Sequence, residues 1–236
     1  GKQALWKDEN IADSITTKAV QFIEDNQHKP FFLYFATNDA HVPRVPHPRF
    51  VGKSGMGARG DALLQFDWSV GEILKVLDRL GLTENTLIVL TSDNGPVTRE
   101  ARKVYELNLA GETDGLRGRK DNLWEGGIRV PAIIKYGKHL PQGMVSDTPV
   151  YGLDWMPTLA KMMNFKLPTD RTFDGESLVP VLEQKALKRE KPLIFGIDMP
   201  FQDDPTDEWA IRDGDWKMII DRNNKPKYLY NLKSDR

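Results

Sequence analysis

The stretch GDALLQFDWSVGEILKVLDRLGLTENTLIVLTSDNG, residues 60–95, decides the fold class of this chain. Its first part predicts an amphipathic helix, because apolar residues recur at helical spacing. These residues are Ala62, Leu63, Phe66, Val70, Ile73, Leu74, Leu77 and Leu80. Gly81 suits the left-handed position that ends many helices. The short apolar run from Leu87 to Leu90 then predicts a buried strand.

The residues before this stretch predict a helix and another strand. Apolar residues recur on one helical face between Asp8 and Asn26, and Pro30 ends the pattern. FFLYFA, residues 31–36, is a continuous apolar run of the kind found in strands that are covered on both faces. Strand, helix and strand in this order predict a parallel pairing. We therefore expect an α/β fold with a mixed, largely parallel sheet flanked by helices.

The last fifty residues have a different pattern. Short apolar runs recur with turn residues between them, and Asp213-Gly214 is a typical hairpin signal. The runs are Leu193 to Ile197, Trp209 to Arg212, Trp216 to Asp221 and Tyr228 to Leu232. They predict a small antiparallel sheet, so we expect one α/β region at residues 1–186 and a C-terminal subdomain at 187–236.

Composition excludes several classes of protein. The formal net charge is -1, so no global basic field favours binding to nucleic acid or to an anionic membrane. No apolar run has the length of a membrane span. The chain has no cysteine, which excludes disulfides, thiolate metal sites and a cysteine nucleophile within it.

Polar residues follow both predicted strands, where open α/β sheets bind ligands. Asp93 and Asn94 offer two oxygen ligands that suit Ca²⁺ or Mg²⁺, although Asp-Asn-Gly is also a common turn sequence. His41 lies in a proline-rich loop, where it can bind an anion or simply pack. Lys120 belongs to a basic run that precedes the sharp bend at Gly126-Gly127, and such runs are often only solvated surface.

Five blocks of sequence, in this order, resemble the type I sulfatases of the alkaline phosphatase superfamily. They are PFFLYFATNDAHVP (30–43), the stretch 60–96, GLRGRKDNLWEGGIRVPAIIKYG (115–137), DWMPTLAKMM (154–163) with FDGESLVPVL (173–182), and WAIRDGDWKMII (209–220) with YLYNL (228–232). The resemblance implies that Asp93 and Asn94 bind Ca²⁺, with Mg²⁺ as an alternative. It also implies that His41 and Lys120 contact the sulfate group, and that either of them protonates the leaving oxygen.

The nucleophile segment of that family is not found in this sequence. The family uses a formylglycine made from the Cys or Ser of a Cys/Ser-x-Pro-x-Arg motif, and the chain contains no such motif. We therefore expect the formylglycine upstream, in a missing N-terminal half of the domain that would pair with this chain. We also expect the isolated chain to be inactive and to bind Ca²⁺ weakly, because Ca²⁺ takes about six to eight oxygen ligands.

The leading hypothesis is therefore a hydrolase of sulfate esters that acts on a sulfated carbohydrate or small molecule. Candidate substrate contacts are Arg44, His47, Arg102 and Arg119, and Trp124 either faces the sugar or packs in the core. Two alternatives remain: a non-catalytic module that binds anions or sulfated glycans, and a phosphatase or phosphonate hydrolase of the same superfamily. Asn94 argues against the latter, because Asp with His suits Zn²⁺ or Mn²⁺ better. The absence of cysteine favours a periplasmic or secreted bacterial protein.

Overall fold

The computed structural model describes residues 5–97, 113–197 and 207–235 and has the expected α/β fold. Its helices are α1 (Ile11–Asn26), α2 (Gly57–Arg79), α3 (Glu125–Ile128), α4 (Trp155–Met162) and α5 (Val179–Leu182). Its strands are β1 (Ile88–Thr91), β2 (Ala132–Lys135), β3 (Leu193–Gly196), β4 (Asp207–Asp213), β5 (Trp216–Asp221) and β6 (Pro226–Asn231). Within the described residues, no helix is long and apolar enough to cross a membrane.

The described residues form two compact units. The first lies within Gly1–Leu90, Val97–Glu112 and Ala132–His139, and the second lies within Thr91–Pro96, Thr113–Pro131 and Leu140–Arg236. The predicted boundary between residues 186 and 187 stays a prediction.

In the first unit, α1 packs against α2 around a core of Ile23, Val76 and Leu77. The hydroxyl of Thr16 donates to that of Ser69 at 3.0 Å, which satisfies two buried polar groups between these helices. The expected end of α2 is confirmed: Gly81 has a φ of 69°, and the next backbone N–H, that of Leu82, donates to the carbonyl of Leu77 at 2.8 Å. The helix thereby ends in the way that left-handed glycines allow.

The prediction of a strand at residues 31–36 is wrong. The segment is extended and half-buried residues alternate with exposed ones, yet no strand is assigned there. Phe31 and Leu33 pack against the core of the first unit, whereas Phe32 and Tyr34 are 76% and 82% exposed. The physical reason is the absence of a neighbour: in the described residues the sheet at this end of the chain contains β1 and β2 alone. An extended segment without ladder hydrogen bonds is not a strand. The predicted parallel pairing of this segment with the strand at residues 87–90 is therefore not formed in the described residues.

In the second unit, β3, β4, β5 and β6 form the expected antiparallel sheet in that order. Asp213 pairs with Trp216 across a tight turn in which Gly214 has a φ of 56°, so the predicted hairpin is confirmed. The inner face of the sheet carries Ala210 and Ile219, which pack around Leu123. The sheet is therefore packed against the loop that carries Lys120.

Asp154 directly precedes α4, but its side chain makes no capping hydrogen bond to that helix. Its fully buried carboxylate accepts hydrogen bonds from the backbone N–H groups of Tyr151 and Glu176, at 3.0 and 2.9 Å. The guanidinium of Arg189 pairs with both of its oxygens. A buried carboxylate is stable only when its oxygens accept hydrogen bonds. Asp154 therefore joins three separate segments of the second unit instead of capping one helix.

Candidate functional site

Asp93 and Asn94 lie on the loop that follows β1. The Asn94 side-chain Nδ2 donates to the carbonyl of Gly95 at 2.9 Å, and the Ser92 hydroxyl donates to the carbonyl of Asn94 at 3.1 Å. These bonds fix the amide so that its Oδ1 remains as an acceptor. The Asp93 carboxylate is exposed and makes no hydrogen bond or ion pair with the described residues. Both side chains thus offer oxygen atoms of the type that Ca²⁺ and Mg²⁺ bind.

A close glycine contact joins this loop to the segment that contains Lys120. The backbone N–H of Gly95 donates to the carbonyl of Gly127 at 2.8 Å. A Cβ atom at Gly95 would fall on the carbonyl oxygen of Gly126, and one at Gly126 would fall on that of Gly118. These positions require glycine because the two backbones touch directly. The glycines therefore allow the Asp93–Asn94 loop and the Lys120 segment to lie directly against each other.

Lys120 lies beside the Asp93–Asn94 loop in the same unit. Its backbone N–H donates to the carbonyl of Pro96 at 2.9 Å, two residues after Asn94. Its ammonium group has no hydrogen bond or ion pair with the described residues. An ammonium that the surrounding chain does not neutralise attracts an anion. The structure therefore brings together three of the residues expected from the sequence, namely Asp93, Asn94 and Lys120.

Arg119 and Arg117 make different contacts, although both belong to the same basic run. The Arg119 backbone N–H donates to Oδ1 of Asn122 at 3.1 Å, and its guanidinium donates to the carbonyl of Lys120 at 3.4 Å. The guanidinium of Arg117 lies 3.5 Å from the centroid of the Trp124 ring and donates to the Tyr230 hydroxyl at 3.1 Å. Arg117 is thereby engaged in a cation–π contact with an aromatic cluster.

Trp124 is partly buried and packs against the core of the second unit, as one of its two expected roles requires. Its ring lies 4.9 Å from that of Tyr228 and 5.2 Å from that of Tyr230, and it packs against the core of the second unit. With Arg117 stacked on the ring, the residue stabilises the Lys120 segment by packing.

His41 lies in the first unit on an exposed loop. Its ring Nδ1 is 2.6 Å from the carbonyl oxygen of Val42. A carbonyl oxygen only accepts, so Nδ1 carries the proton and Nε2 is the nitrogen available to a ligand. The neutral ring offers an acceptor at Nε2, and the protonated ring offers a donor there. Both forms suit a residue that binds an anion or passes a proton to a leaving group.

Arg44 and His47 lie on the same loop as His41. Arg44 Nε donates to the carbonyl of Ala40 at 2.8 Å. The His47 ring accepts from the backbone N–H of Arg49 at 3.3 Å, and its other nitrogen lies 4.0 Å from the Asp13 carboxylate. His47 is thus held between two neighbours, unlike His41. Arg102 lies outside the described residues.

Arg49 is a residue that the sequence pattern missed. It makes two hydrogen bonds to the Asp13 carboxylate, at 2.6 and 2.5 Å, and lies over the rings of Phe50 and Trp68 at 4.6 and 4.3 Å. The hydrogen bond from Arg49 lowers the pKa of Asp13. This pairing favours the charged form of Asp13, which lies close to His47. A single arginine after a proline gives no signal in the sequence that it will form such a pair.

Lys217 is a second missed residue, and it supports the Lys120 segment from behind. It lies on β5, is only 2% exposed, and donates to a Glu125 carboxylate oxygen at 2.8 Å. Arg212 lies 3.8 Å from the other oxygen of Glu125. Burial lowers the pKa of Lys217, while the charge of Glu125 acts in the opposite direction. This buried pair ties the C-terminal sheet to α3, five residues after Lys120.

Replacing Lys217 with methionine in the complete protein is expected to destabilise the fold by about 3–5 kcal/mol, because the carboxylate of Glu125 is left buried without its main partner. Urea unfolding followed by circular dichroism measures this change. The double variant Lys217→Met/Glu125→Gln is expected to recover part of the loss. Lys75→Met, which removes an exposed pair with Glu72, serves as the control and should change stability by less than about 1 kcal/mol. Equal effects of the two single substitutions would contradict a buried ion pair.

The described residues contain no group of three or more His, Cys, Asp or Glu that could hold a metal ion. Asp93 and Asn94 offer two side-chain oxygen atoms, whereas Ca²⁺ takes about six to eight oxygen ligands.

Two family profiles match this chain. The one described as Sulfatase matches residues 4–165, and the one described as N-sulphoglucosamine sulphohydrolase, C-terminal, matches residues 118–236. An N-acetylgalactosamine-6-O-sulfatase of Bacteroides thetaiotaomicron is 42% identical over 226 residues, which are 93% of this chain and 42% of that protein. Human steryl-sulfatase is 39% identical over 188 residues, with 79% of this chain and 32% of that protein covered. The chain thus spans less than half of the length of either relative.

Solved structures show the same likeness. A structure from work on the metabolism of multiple glycosaminoglycans by Bacteroides thetaiotaomicron has a TM-score of 0.76 and 37% identity, covering 99% of this chain and 51% of that one. A sulfatase from Pseudoalteromonas sp. has a TM-score of 0.78 and 26% identity, covering 96% and 47%. The likeness extends over both units of the chain.

Proposed function

Because the chain belongs to the sulfatase family, we propose that the complete protein of which it forms a part is a sulfuric ester hydrolase that removes sulfate from a sulfated carbohydrate. The observation that carries this proposal is the glycine contact, which holds the Asp93–Asn94 loop against the segment of Lys120, whose ammonium has no hydrogen bond or ion pair with the described residues. A metal ion held by these two oxygen ligands, together with the cationic Lys120, would attract the anionic oxygens of a sulfate ester.

Asp93 and Asn94 would hold Ca²⁺, with Mg²⁺ as an alternative. The fit rests on the Asn94 amide, whose nitrogen is used by Gly95 so that only its oxygen is left for a ligand. When bound, the metal ion would supply positive charge that polarises the sulfuryl oxygens. The remaining ligands would come from the rest of the protein, as would the formylglycine nucleophile.

Lys120 and His41 would act on the ester itself. Hydrolysis of a sulfate ester places negative charge on the sulfuryl oxygens and on the leaving alkoxide oxygen, and fixed cations stabilise that charge. The Lys120 ammonium would contact a sulfuryl oxygen. His41, whose Nδ1 proton is committed to the Val42 carbonyl, would use Nε2 to contact the sulfate group or to protonate the leaving oxygen.

The substrate would be a sulfated glycan. This is supported by the relative named as an N-acetylgalactosamine-6-O-sulfatase. Arg44, Arg119, His47 and Arg102 are the candidate contacts for the sugar and for further anionic groups. Arg44 and Arg119 suit this role because guanidinium groups bind carboxylates and sulfates through two parallel hydrogen bonds.

The partner of this chain would be the rest of the same protein. Phe32 and Tyr34 expose large apolar side chains on an extended segment, and segments of this kind are usually covered by a neighbouring element. A periplasmic or secreted location in a bacterium would fit an enzyme that acts on large sulfated glycans, which are met outside the cytoplasm.

The test is hydrolysis by the complete protein of an aryl sulfate and of the matching aryl phosphate, with free sulfate and phosphate measured. We expect turnover of the sulfate ester to exceed that of the phosphate by at least ~10²-fold. The two esters differ in charge, and a site complementary to the transition state of one stabilises that of the other less well. Lys120→Met is expected to reduce sulfate release by ~10²–10³-fold. A preference for the phosphate would favour a phosphatase, and binding of sulfated glycan without turnover would favour a non-catalytic module.

A further inference from the structure

Gln65 fixes both ends of the segment that carries His41. It lies on α2 and is 5% exposed. Its amide nitrogen donates to Oδ1 of Asp39 at 2.7 Å, and its amide oxygen accepts from the backbone N–H of His47 at 2.7 Å. Residues 39–47, called the His41 segment below, contain no helix or strand. One buried side chain therefore ties both ends of this segment to a rigid helix.

Several other hydrogen bonds of the His41 segment are local. The backbone N–H of His41 donates to the carbonyl of Asn38 at 3.3 Å, and Arg44 Nε donates to the carbonyl of Ala40 at 2.8 Å. Such bonds shape the segment, but they join residues only three or four positions apart. The two bonds to Gln65, in contrast, join residues 26 and 18 positions apart and hold the segment against α2.

The hydrogen bond from Gln65 links Asp39 to α2. The Oδ2 of Asp39 is buried and has no hydrogen-bond partner in the described residues. The hydrogen bond that Oδ1 accepts from Gln65 therefore helps to keep this carboxylate buried. Burial raises the pKa of Asp39, and hydrogen bonds from Gln65, from the Thr37 side chain and from the backbone act in the opposite direction. Thr37 lies two residues away, so without the Gln65 amide the carboxylate would lose its hydrogen bond to α2, and a buried carboxylate with fewer partners is costly.

We propose that Gln65 is a positioning residue that sets the place of the His41 ring relative to the ester, by holding Asp39 and His47 on one amide. The inference rests on the proposed function, in which His41 Nε2 contacts the sulfate group or the leaving oxygen. Gln65 itself touches no substrate in this scheme. It acts through the backbone of the His41 segment, since displacements of about 1 Å at a reacting group can cost ~10²-fold in rate.

The first variant is Gln65→Met in the complete protein, which keeps the length of the side chain and removes both hydrogen bonds. We expect kcat/KM for an aryl sulfate to fall by ~10²-fold at a temperature where circular dichroism shows a folded protein. The matched control is Gln21→Met on α1, which removes an exposed glutamine whose amide donates to Asp25 on the same helix, at 2.8 Å. The control should keep wild-type kcat/KM.

The second variant, Gln65→Glu, separates positioning from a loss of stability. A glutamate still accepts the His47 N–H, but at high pH its charge repels Asp39. At low pH the two carboxyl groups share one proton and the hydrogen bond is restored. The activity of this variant relative to wild type is therefore expected to rise several-fold as the pH falls from about 8 to about 5. Dividing by the wild-type activity at each pH removes the contribution of the other ionisable groups nearby. These groups are His41, Arg44 and His47 on the segment, Asp61 on α2 and Asp13 on α1.

The outcomes separate this inference from the proposed function. A wild-type protein that does not hydrolyse sulfate esters would reject the proposed function. If wild type is active, a folded Gln65→Met variant with unchanged kcat/KM would overturn the positioning role. The positioning role would also be overturned if the activity of Gln65→Glu, relative to that of wild type, stayed the same at every pH. A fall with Gln65→Met together with recovery of Gln65→Glu at low pH supports the inference.

Discussion

Replacing Gly95 with alanine in the complete protein is expected to lower the free energy of unfolding by more than about 4 kcal/mol and to abolish sulfate release. The added Cβ would fall on the carbonyl oxygen of Gly126 and lie 3.0 Å from the Cα of Gly127. Both neighbours are backbone atoms, so no side-chain rotation can make room. The Asp93–Asn94 loop would have to move away from the Lys120 segment. Urea unfolding and sulfate release from an aryl ester measure the two effects.

Gly71→Ala is the matched control for this substitution. Gly71 lies inside α2 and a Cβ there would meet no atom within 4 Å. Alanine at such a helical position is expected to stabilise by up to about 1 kcal/mol and to leave turnover unchanged. If Gly95→Ala unfolds at the same urea concentration as wild type and remains active, the close contact with Gly126 does not hold the site together.

The sequence predicted those parts of the fold in which one chemical pattern dominates. The apolar spacing of residues 62–80 and the left-handed glycine at position 81 decide α2 locally, and the structure agrees. The hairpin at Gly214 follows from its turn residue in the same way. Residues 31–36 are different, because a strand exists only when a neighbouring strand shares its hydrogen bonds. Apolar content predicts burial there, but it does not supply that neighbour.

The candidate site could be predicted only in part, for a similar reason. Asp93 and Asn94 directly follow an apolar run, and Lys120 precedes a glycine pair, so these three residues stand out in the sequence. Gln65 and Lys217 lie inside regular elements, and their function comes from partners 18 to 92 residues away. No local pattern marks a side chain whose role depends on such distant contacts. Helix and strand periodicity assigned them to ordinary positions instead.

Replacing Asp93 with alanine is expected to reduce turnover of an aryl sulfate by the complete protein by at least ~10³-fold, with a change in stability below about 1 kcal/mol. The carboxylate is exposed and makes no hydrogen bond or ion pair with the described residues, so the fold does not depend on it. Its loss would instead remove an oxygen ligand of the proposed metal ion. A chelator of divalent cations should have the same effect on wild type, and added Ca²⁺ should restore turnover there but not in the variant.

Asp67→Ala provides the control, since Asp67 is an equally exposed aspartate on α2 without a partner in the described residues. It should keep both turnover and its response to Ca²⁺. The competing interpretation treats Asp93 as a residue that only forms the turn before Gly95. It makes the opposite prediction: Asp93→Ala would lower the unfolding midpoint, while the folded fraction would keep its specific activity. Stability and turnover measured on the same samples therefore distinguish the two roles. Loss of a metal ligand lowers turnover, whereas loss of a turn residue lowers stability.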